Sequence, residues 1–315
     1  MGLKERINSK WITVAIIVII AILAAIPSLF KLISDDFGWD DVAEKIGIVG
    51  DARLDDYPVN FHVVDVGQGS CTLVTSDYGT IMIDCGERDQ KDNVEGYLNN
   101  LGIKRIDYLI ATHPHSDHIG CMYSIVNKFE IGKFYMPKLD KNDIPTSSCY
   151  EYLLESLDGK NVDSSYIKGG DSFTLGEIRC TALAPVKTIK GNLNSMSVIL
   201  KIEYGNTSFL VTGDAETDEE KTVLQSGADL SSDVICLGHH GSRTSSSSAF
   251  LKAVDPHIAV ISCAADNKYG HPHQETLDKL EKLGIKYYRT DIDSTVIFSS
   301  DGKRIIDHQR GETDE

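Results

Sequence analysis

The sequence predicts an α/β domain in which two β-sheets face each other and helices cover their outer surfaces. Three observations carry this prediction. Residues 59–84 and 178–212 each read as short strands joined by tight turns. Each stretch is followed by alternating strand and helix patterns. The polar clusters fall just after strands, in loops, where a rigid scaffold usually presents its chemistry.

The elements follow in order. β-branched and aromatic residues mark strands at Val59–Val66, Cys71–Thr75 and Thr80–Asp84, the last two joined by a turn at Ser76–Gly79. A helical pattern covers 91–101, then a strand Ile106–Ala111 and a helix Ile119–Lys128. Residues 138–170 give no clear period. Strands return at Ile178–Leu183, Ser197–Glu203 and Ser208–Thr212, with a Gly205-Asn206 turn between the last two. A helix is expected near 216–225, a strand at Asp233–Leu237, a helix at 246–254 and a strand at Ile258–Ser262. A helix at 274–283 and a strand at Lys286–Thr290 precede a closing hairpin, Thr295–Ser299 to Arg304–Asp307. One large domain is therefore expected over 59–310.

The N-terminal region reads differently. Trp11 to Phe30 contains no charged residue, and twenty helical residues span about 30 Å, one hydrocarbon core. Lys4, Arg6 and Lys10 precede the run; Lys31, Asp35 and Asp36 follow it. The charge asymmetry predicts a single-pass anchor over residues 1–33 with the domain outside the cytoplasm. A cleaved signal peptide is the rival, but its apolar region is normally shorter. The Asp-rich segment 34–58 is expected to be a tether.

The 315 residues carry 31 basic and 47 acidic side chains, a formal charge of −16. Residues 1–33 hold four basic groups and one acidic group, so the remainder carries −19. Broad electrostatic attraction to nucleic acid or anionic lipid is excluded, although a polyanion can still bind at a local metal-bearing cleft. Seven Cys are scattered, with no C-x-x-C spacing. This excludes a zinc finger and a complete disulfide framework. The Cys are expected to be packed thiols, with Cys85 and Cys121, near the polar loops, open to oxidation. His62, His257 and His308 are expected to be structural.

The densest cluster is His113-Pro114-His115-Ser116-Asp117-His118, directly after an apolar strand. Imidazole and carboxylate donors together suit zinc and similar divalent ions. His113 and His115 share one side of an extended segment, while Asp117 and His118 turn toward a second ion as a helix begins. Gly120 permits close backbone approach. The segment Ser242-Arg243-Thr244-Ser245-Ser246-Ser247-Ser248 follows His239-His240. Its hydroxyls, backbone N–H groups and Arg243 can face an anionic oxygen.

The H-x-H-x-D-H pattern resembles that of the metallo-β-lactamase superfamily. IMIDCG around Asp84, FLVTGD around Asp214 and a strand ending in His239-His240 follow the superfamily order. FHVVDVGQGS, LGHHGSRTSSSSAFL and NKYGHPHQETLDKL further resemble the metallo-β-lactamase-like domain of ComEC-type DNA-uptake channel proteins over roughly residues 60–300. With a single span, the chain looks like a stand-alone relative of that domain. The resemblance implies a four-layer αββα sandwich and two divalent ions, zinc first and manganese as the alternative.

The family roles follow by position. His113 and His115 resemble ligands of the first ion; Asp117 and His118 resemble ligands of the second. Asp214 matches the bridging carboxylate. His239 or His240 matches the last ligand; His239 is assigned to the metal, and His240, Arg243 and His271 to the transition state or leaving group. Asp84 and Asp65 match residues that order the metal loops. Asn194, Ser197 and Ser242 are assigned to substrate. There are two departures. No His occurs between 119 and 238, where the superfamily usually has one, and Asn192–Ser197 stands there instead. Ser70 replaces an acid in DVGQGS.

These features predict a membrane-anchored binuclear hydrolase of a phosphodiester, DNA being the substrate that the resemblance implies. A smaller phosphodiester or a phosphorylated cell-surface polymer is the alternative substrate. A metal-poor, non-catalytic module of an envelope or DNA-uptake assembly is the alternative class.

Overall fold

The computed structural model describes residues 56–309. The anchor expected over 1–33, and all but the last three residues of the tether over 34–58, lie outside the described residues. Among the described residues, no helix is long and apolar enough to cross a membrane.

The chain enters through an antiparallel meander, β1 (Val59–Val63), β2 (Thr72–Ser76) and β3 (Gly79–Ile83), followed by helix α1 (Lys91–Asn100). Strand β4 (Arg105–Ile110) adds parallel to β3. Two short helices, α2 (Ser116–Ile119) and α3 (Met122–Lys128), lead to β5 (Glu130–Pro137). Helix α4 (Ser148–Gly159) crosses to β6 (Asp163–Ile167), the edge of the first sheet. The second sheet opens with antiparallel β7 (Ser172–Leu175), β8 (Ile178–Ala184), β9 (Ile199–Tyr204) and β10 (Thr207–Val211).

Parallel strands then alternate with helices: α5 (Thr217–Ser226), β11 (Val234–Cys236), α6 (Ser248–Val254), β12 (Ile258–Ile261), α7 (Gln274–Leu283) and β13 (Lys286–Arg289). After a short helix α8 (Thr290–Asp293), the hairpin β14 (Val296–Ser300) and β15 (Ile305–Asp307) returns to the first sheet beside β1. The sheet orders are β15-β14-β1-β2-β3-β4-β5-β6 and β13-β12-β11-β10-β9-β8-β7.

Three apolar clusters account for the four layers. Phe61, Val74, Ile83, Leu200, Phe209, Val260 and Phe298 belong to the one between the sheets. Phe61 and Phe209 stack across the gap at 4.3 Å and 13°. Burying such a side chain contributes about 1.5–3 kcal/mol. Leu98, Leu109, Ile125 and Leu153 pack α1, α3 and α4 on the first sheet; Val223, Leu251, Ile261 and Leu280 pack α5, α6 and α7 on the second. The layers are therefore α, β, β, α, as the sequence predicts.

Strand β1 is buried on both faces, although the polar Asn60 and His62 alternate with its apolar residues. His62 points away from Phe61. Its Nδ1 lies 2.8 Å from the Tyr97 hydroxyl on α1 and its Nε2 lies 3.2 Å from Thr75 Oγ1. Burial lowers its pKa to about 3, so it is a neutral, structural imidazole, as expected.

Some expectations are corrected. The helix expected over Ile119–Lys128 begins earlier and is broken at Gly120-Cys121. A Cβ at Gly120 would lie 2.4 Å from the Ser116 carbonyl oxygen and 2.5 Å from the Arg88 nitrogen, so the approach requires glycine. Residues 138–170, without a clear period, contain α4 and β6. Cys85 and Cys121 are fully buried in the core outside the first sheet, and burial raises the Cys85 thiol well above its ordinary value. They are packed thiols, shielded from oxidants rather than open to them.

Candidate metal centre

The polar loops converge at one end of the sandwich, beyond the carboxyl ends of β3, β4, β10 and β11, where open α/β sheets usually place ligands. Strand β4 runs straight into His113. His115 is extended (φ −74°, ψ 152°) and opens α2, so Asp117 and His118 turn away from the preceding pair. Asp214 follows β10. His239 and His240 follow β11, both with left-handed backbone (φ 53° and 55°). Such conformations are uncommon for residues other than glycine, and they persist where the surroundings enforce them.

Two donor groups result. Asp117, His118, Asp214 and His240 form one; His113, His115 and Asp214 form the other. Within each group the donor atoms lie within 4.8 Å of one another. Asp214 divides its oxygens between them. Oδ1 lies 3.1 Å from His118 Nε2 and 3.6 Å from His240 Nε2; Oδ2 lies 3.8 Å from His113 Nε2. His113 Nε2 in turn lies 2.9 Å from His115 Nδ1. His240 Nε2 is 3.2 Å from Asp117 Oδ2.

The far ring nitrogens are held by the protein. His118 Nδ1 donates to Asp84 Oδ2 at 2.7 Å, and His240 Nδ1 donates to the Ser262 carbonyl at 2.9 Å. His113 Nδ1 lies 3.2 Å from Thr112 Oγ1 and 3.3 Å from Ser197 Oγ. Fixing the far nitrogen leaves the inward Nε2 available as a ligand. Asp84, itself left-handed at φ 59°, also accepts the Thr112 N–H at 2.8 Å and the Thr112 hydroxyl at 2.7 Å. Gly69 closes the other side: a Cβ there would lie 2.5 Å from the Asp117 carbonyl oxygen.

The electrostatics fit a cation site. Burial lowers His113 and His115 below the ordinary imidazole value, which keeps them neutral. Burial acts the same way on His118 and His240, but Asp214 and its neighbouring carboxylates overcome it and raise both. Burial would raise Asp214 and Asp117, yet His118 and His240 hold both below the carboxylate range. The carboxylates thus demand positive charge. His118 Nε2 and Asp214 Oδ1 are buried and face each other at 3.1 Å without a well-aligned hydrogen bond. A metal ion held by these residues would remove that cost, since poorly matched buried polar atoms are unfavourable. The donor set fits a dinuclear site of mixed imidazole and carboxylate ligands.

The remaining predicted residues take varied places. His239 enters neither donor group, although its Nε2 is 3.8 Å from Asp214 Oδ2. His240, assigned above to the transition state or leaving group, belongs to the donor group of Asp117, His118 and Asp214. Asn194 Nδ2 lies 3.4 Å from His239 Nε2, and Asn194 Oδ1 is buried without a partner. Ser197 Oγ accepts the Asp214 N–H at 3.0 Å, so it braces the donor loops. Ser242 Oγ is turned to Thr244 Oγ1 at 3.0 Å. The Arg243 side chain is 63% exposed and lies 3.8 Å from Glu275. His271 stands 6.1 Å from the His240 ring. Asp65 Oδ1 accepts the Gly67 N–H at 3.0 Å, shaping the loop whose Ser70 N–H donates to the Asp117 carbonyl at 3.0 Å.

Two contributors carry no motif of their own in the sequence. Thr112 Oγ1 donates to Asp84 and lies 3.2 Å from His113 Nδ1 and 3.3 Å from His118 Nδ1, and its sequence signal is adjacency to His113. Glu216 lies 3.4 Å from His239 Nδ1 and accepts from Asn192 Nδ2 at 2.6 Å, with no motif to mark it.

Comparison with known proteins agrees with this geometry. The chain is 28% identical over 252 residues to ComE operon protein 3 of Bacillus subtilis (strain 168), covering 74% of this chain and 32% of that protein. It is 32% identical over 238 residues to Competence protein ComA of Neisseria gonorrhoeae, covering 75% and 31%. The chain thus spans about a third of the length of these relatives. The fold is similar to CmlA, a diiron beta-hydroxylase from Streptomyces venezuelae, with a TM-score of 0.54, 16% identity and coverage of 83% of this chain and 59% of that one. The model of the Metallo-beta-lactamase superfamily matches residues 64–265, a range that holds every donor in both groups, and the chain belongs to that superfamily.

Proposed function

We propose that the chain is a binuclear metal-dependent phosphodiesterase, with a nucleic acid strand as its substrate. The observation that carries this reading is the division of Asp214 between two donor groups. Ions held there would polarise a phosphoryl oxygen and activate water. In this reading His113, His115 and Asp214 hold one ion, and Asp117, His118, Asp214 and His240 hold the other. Asp84, Thr112 and Ser197 keep the imidazoles aimed inward. His271, Asn194 and His239 face the substrate side and orient its oxygens. No nucleophilic Ser, Cys or Lys is required. Similarity to Competence protein ComA supports DNA as the substrate.

The proposal includes anchoring through residues 11–30, which rests on the uncharged run and the basic residues before it. Protease added to intact spheroplasts would digest an external domain and spare an internal one.

The enzymatic reading is tested with a chromogenic phosphodiester and single-stranded DNA, using metal-loaded protein. Asp117→Ala and Asp214→Ala should each lose at least about a hundredfold in turnover, the minimum if each removes several kcal/mol of assistance. His62→Ala, in a fraction matched for folding by circular dichroism, should stay near wild type. Near-normal turnover by the Asp117 variant would reject the mechanism.

A further inference from the structure

A line of rings leads outward from the donors. The His271 ring lies 6.1 Å from His240 at 27° and 5.6 Å from Tyr269 at 22°, so it stands between the two with each neighbour tilted by less than 30° from it. His240 and His271 are buried, whereas Tyr269 is 52% exposed. Other exposed tyrosines lie on the 76–79 turn (Tyr78), on α4 (Tyr152) and on edge strand β6 (Tyr166). Tyr269 is the one whose ring continues a line that begins at a candidate ligand.

The loop bearing Tyr269 is tied together. Asn267 Nδ2 donates to the carbonyls of Ala264 at 2.8 Å and His271 at 2.5 Å. Asn267 Oδ1 accepts the N–H groups of Tyr269 at 3.2 Å and His271 at 2.9 Å. Gln68 Oε1 accepts the Ala264 N–H at 3.3 Å. The backbone that presents the ring is therefore fixed before any ligand arrives, which reduces the ordering cost of binding. Lys268 Nζ stands 5.1 Å from the Tyr269 ring centroid.

A half-exposed ring, a fixed backbone and a mobile-stemmed ammonium lying over that ring, which a base can displace toward its own phosphate, suit a base joined to a phosphate. Stacking accepts any base, because every base has a π-face, and the cation meets the anionic link. We propose that Tyr269 and Lys268 form a nucleobase-stacking subsite beside the donor groups, taking a base next to the scissile phosphate of a single strand. This rests on the phosphodiesterase reading and narrows its substrate to one that carries aromatic bases. It also bears on the charge problem: in a protein of net charge −16, a stacking contact adds affinity that does not depend on a basic surface.

The test uses the full chain, loaded with Mn²⁺ or Zn²⁺, and two fluorescent strands of equal length. One is oligothymidylate; the other carries abasic residues throughout. By fluorescence anisotropy, wild type should bind the thymidylate strand more tightly. Tyr269→Ala should weaken that binding roughly 5- to 150-fold, the usual range for one lost stacking contact. It should leave abasic-strand affinity and metal content unchanged, and Tyr269→Phe should retain the preference. Equal binding of both strands by wild type, no binding of either, or an unaltered preference in Tyr269→Ala would overturn the subsite. Cleavage of both strands at one rate by wild type and Tyr269→Ala would also overturn it, leaving the hydrolase reading intact. Tyr269-dependent binding without cleavage would keep the subsite and reject the hydrolase reading.

Discussion

His240 Nε2 stands 3.2 Å from Asp117 Oδ2, although the residues are 123 positions apart in the chain. The contact joins the loop after β11, from the second sheet, to α2, which follows a strand of the first. The donor group that contains Asp117 and His240 therefore exists only when both sheets are assembled. Asp214, shared by both groups, extends the same dependence to the group of His113 and His115.

The adjacent pair His239-His240 should separate by metal content. His240→Ala should lose about one equivalent of divalent ion, because His240 belongs to a donor group. His239→Ala should keep both ions while losing turnover. Elemental analysis of protein purified without chelator distinguishes them. Equal metal loss in both variants would contradict the assignment.

Asp84 should act through the metal rather than through substrate. It touches no ligand's inward atom, but holds His118 Nδ1 at 2.7 Å. Loss of such a supporting carboxylate typically costs about 10–100-fold in metal affinity or activity. Competition with a chromogenic chelator should find that weakening in Asp84→Asn, and excess metal should restore much of its turnover. A turnover defect that excess metal leaves untouched would point elsewhere.

Glu219 supplies a pH dependence of stability. Its side chain on α5 is fully buried, and neither carboxylate oxygen makes a hydrogen bond. Burial raises its pKa well above the ordinary 4.5. The unfolded chain therefore releases this proton near pH 4.5 while the folded chain keeps it. Glu219 thus makes stability fall as pH rises from 4.5 toward the folded pKa. Glu219→Gln, neutral and similar in shape, should gain stability relative to wild type between pH 4 and pH 7, by about 1.4 kcal/mol for each unit of the pKa rise crossed. The advantage should disappear near pH 4. Thermal melts of chelated protein across that range measure it, and a constant difference at all pH values would refute the linkage.

The layered α/β architecture was legible because its strands carry near-continuous apolar runs and its turns carry glycine. Residues 138–170 were not, because α4 has one partly exposed face and β6 is an edge strand rich in Ser and Tyr. The histidine cluster was legible because four donors lie within six residues. The partners of those donors were harder to find. Thr112 and Glu216 act through contacts whose spacing along the chain follows no period. The roles within His239-His240 depend on two left-handed residues in succession, which the pair's sequence does not announce.

The proposed phosphodiesterase activity would need two ions held by the donor groups that share Asp214. The most direct measurement titrates chelated, refolded protein with Mn²⁺ or Zn²⁺ and follows chromogenic phosphodiester hydrolysis against bound equivalents. Turnover should rise to a plateau at two equivalents, and Asp214→Ala should show no such plateau at any metal concentration. Full activity without metal, or an Asp214→Ala curve that matches wild type, would contradict the account.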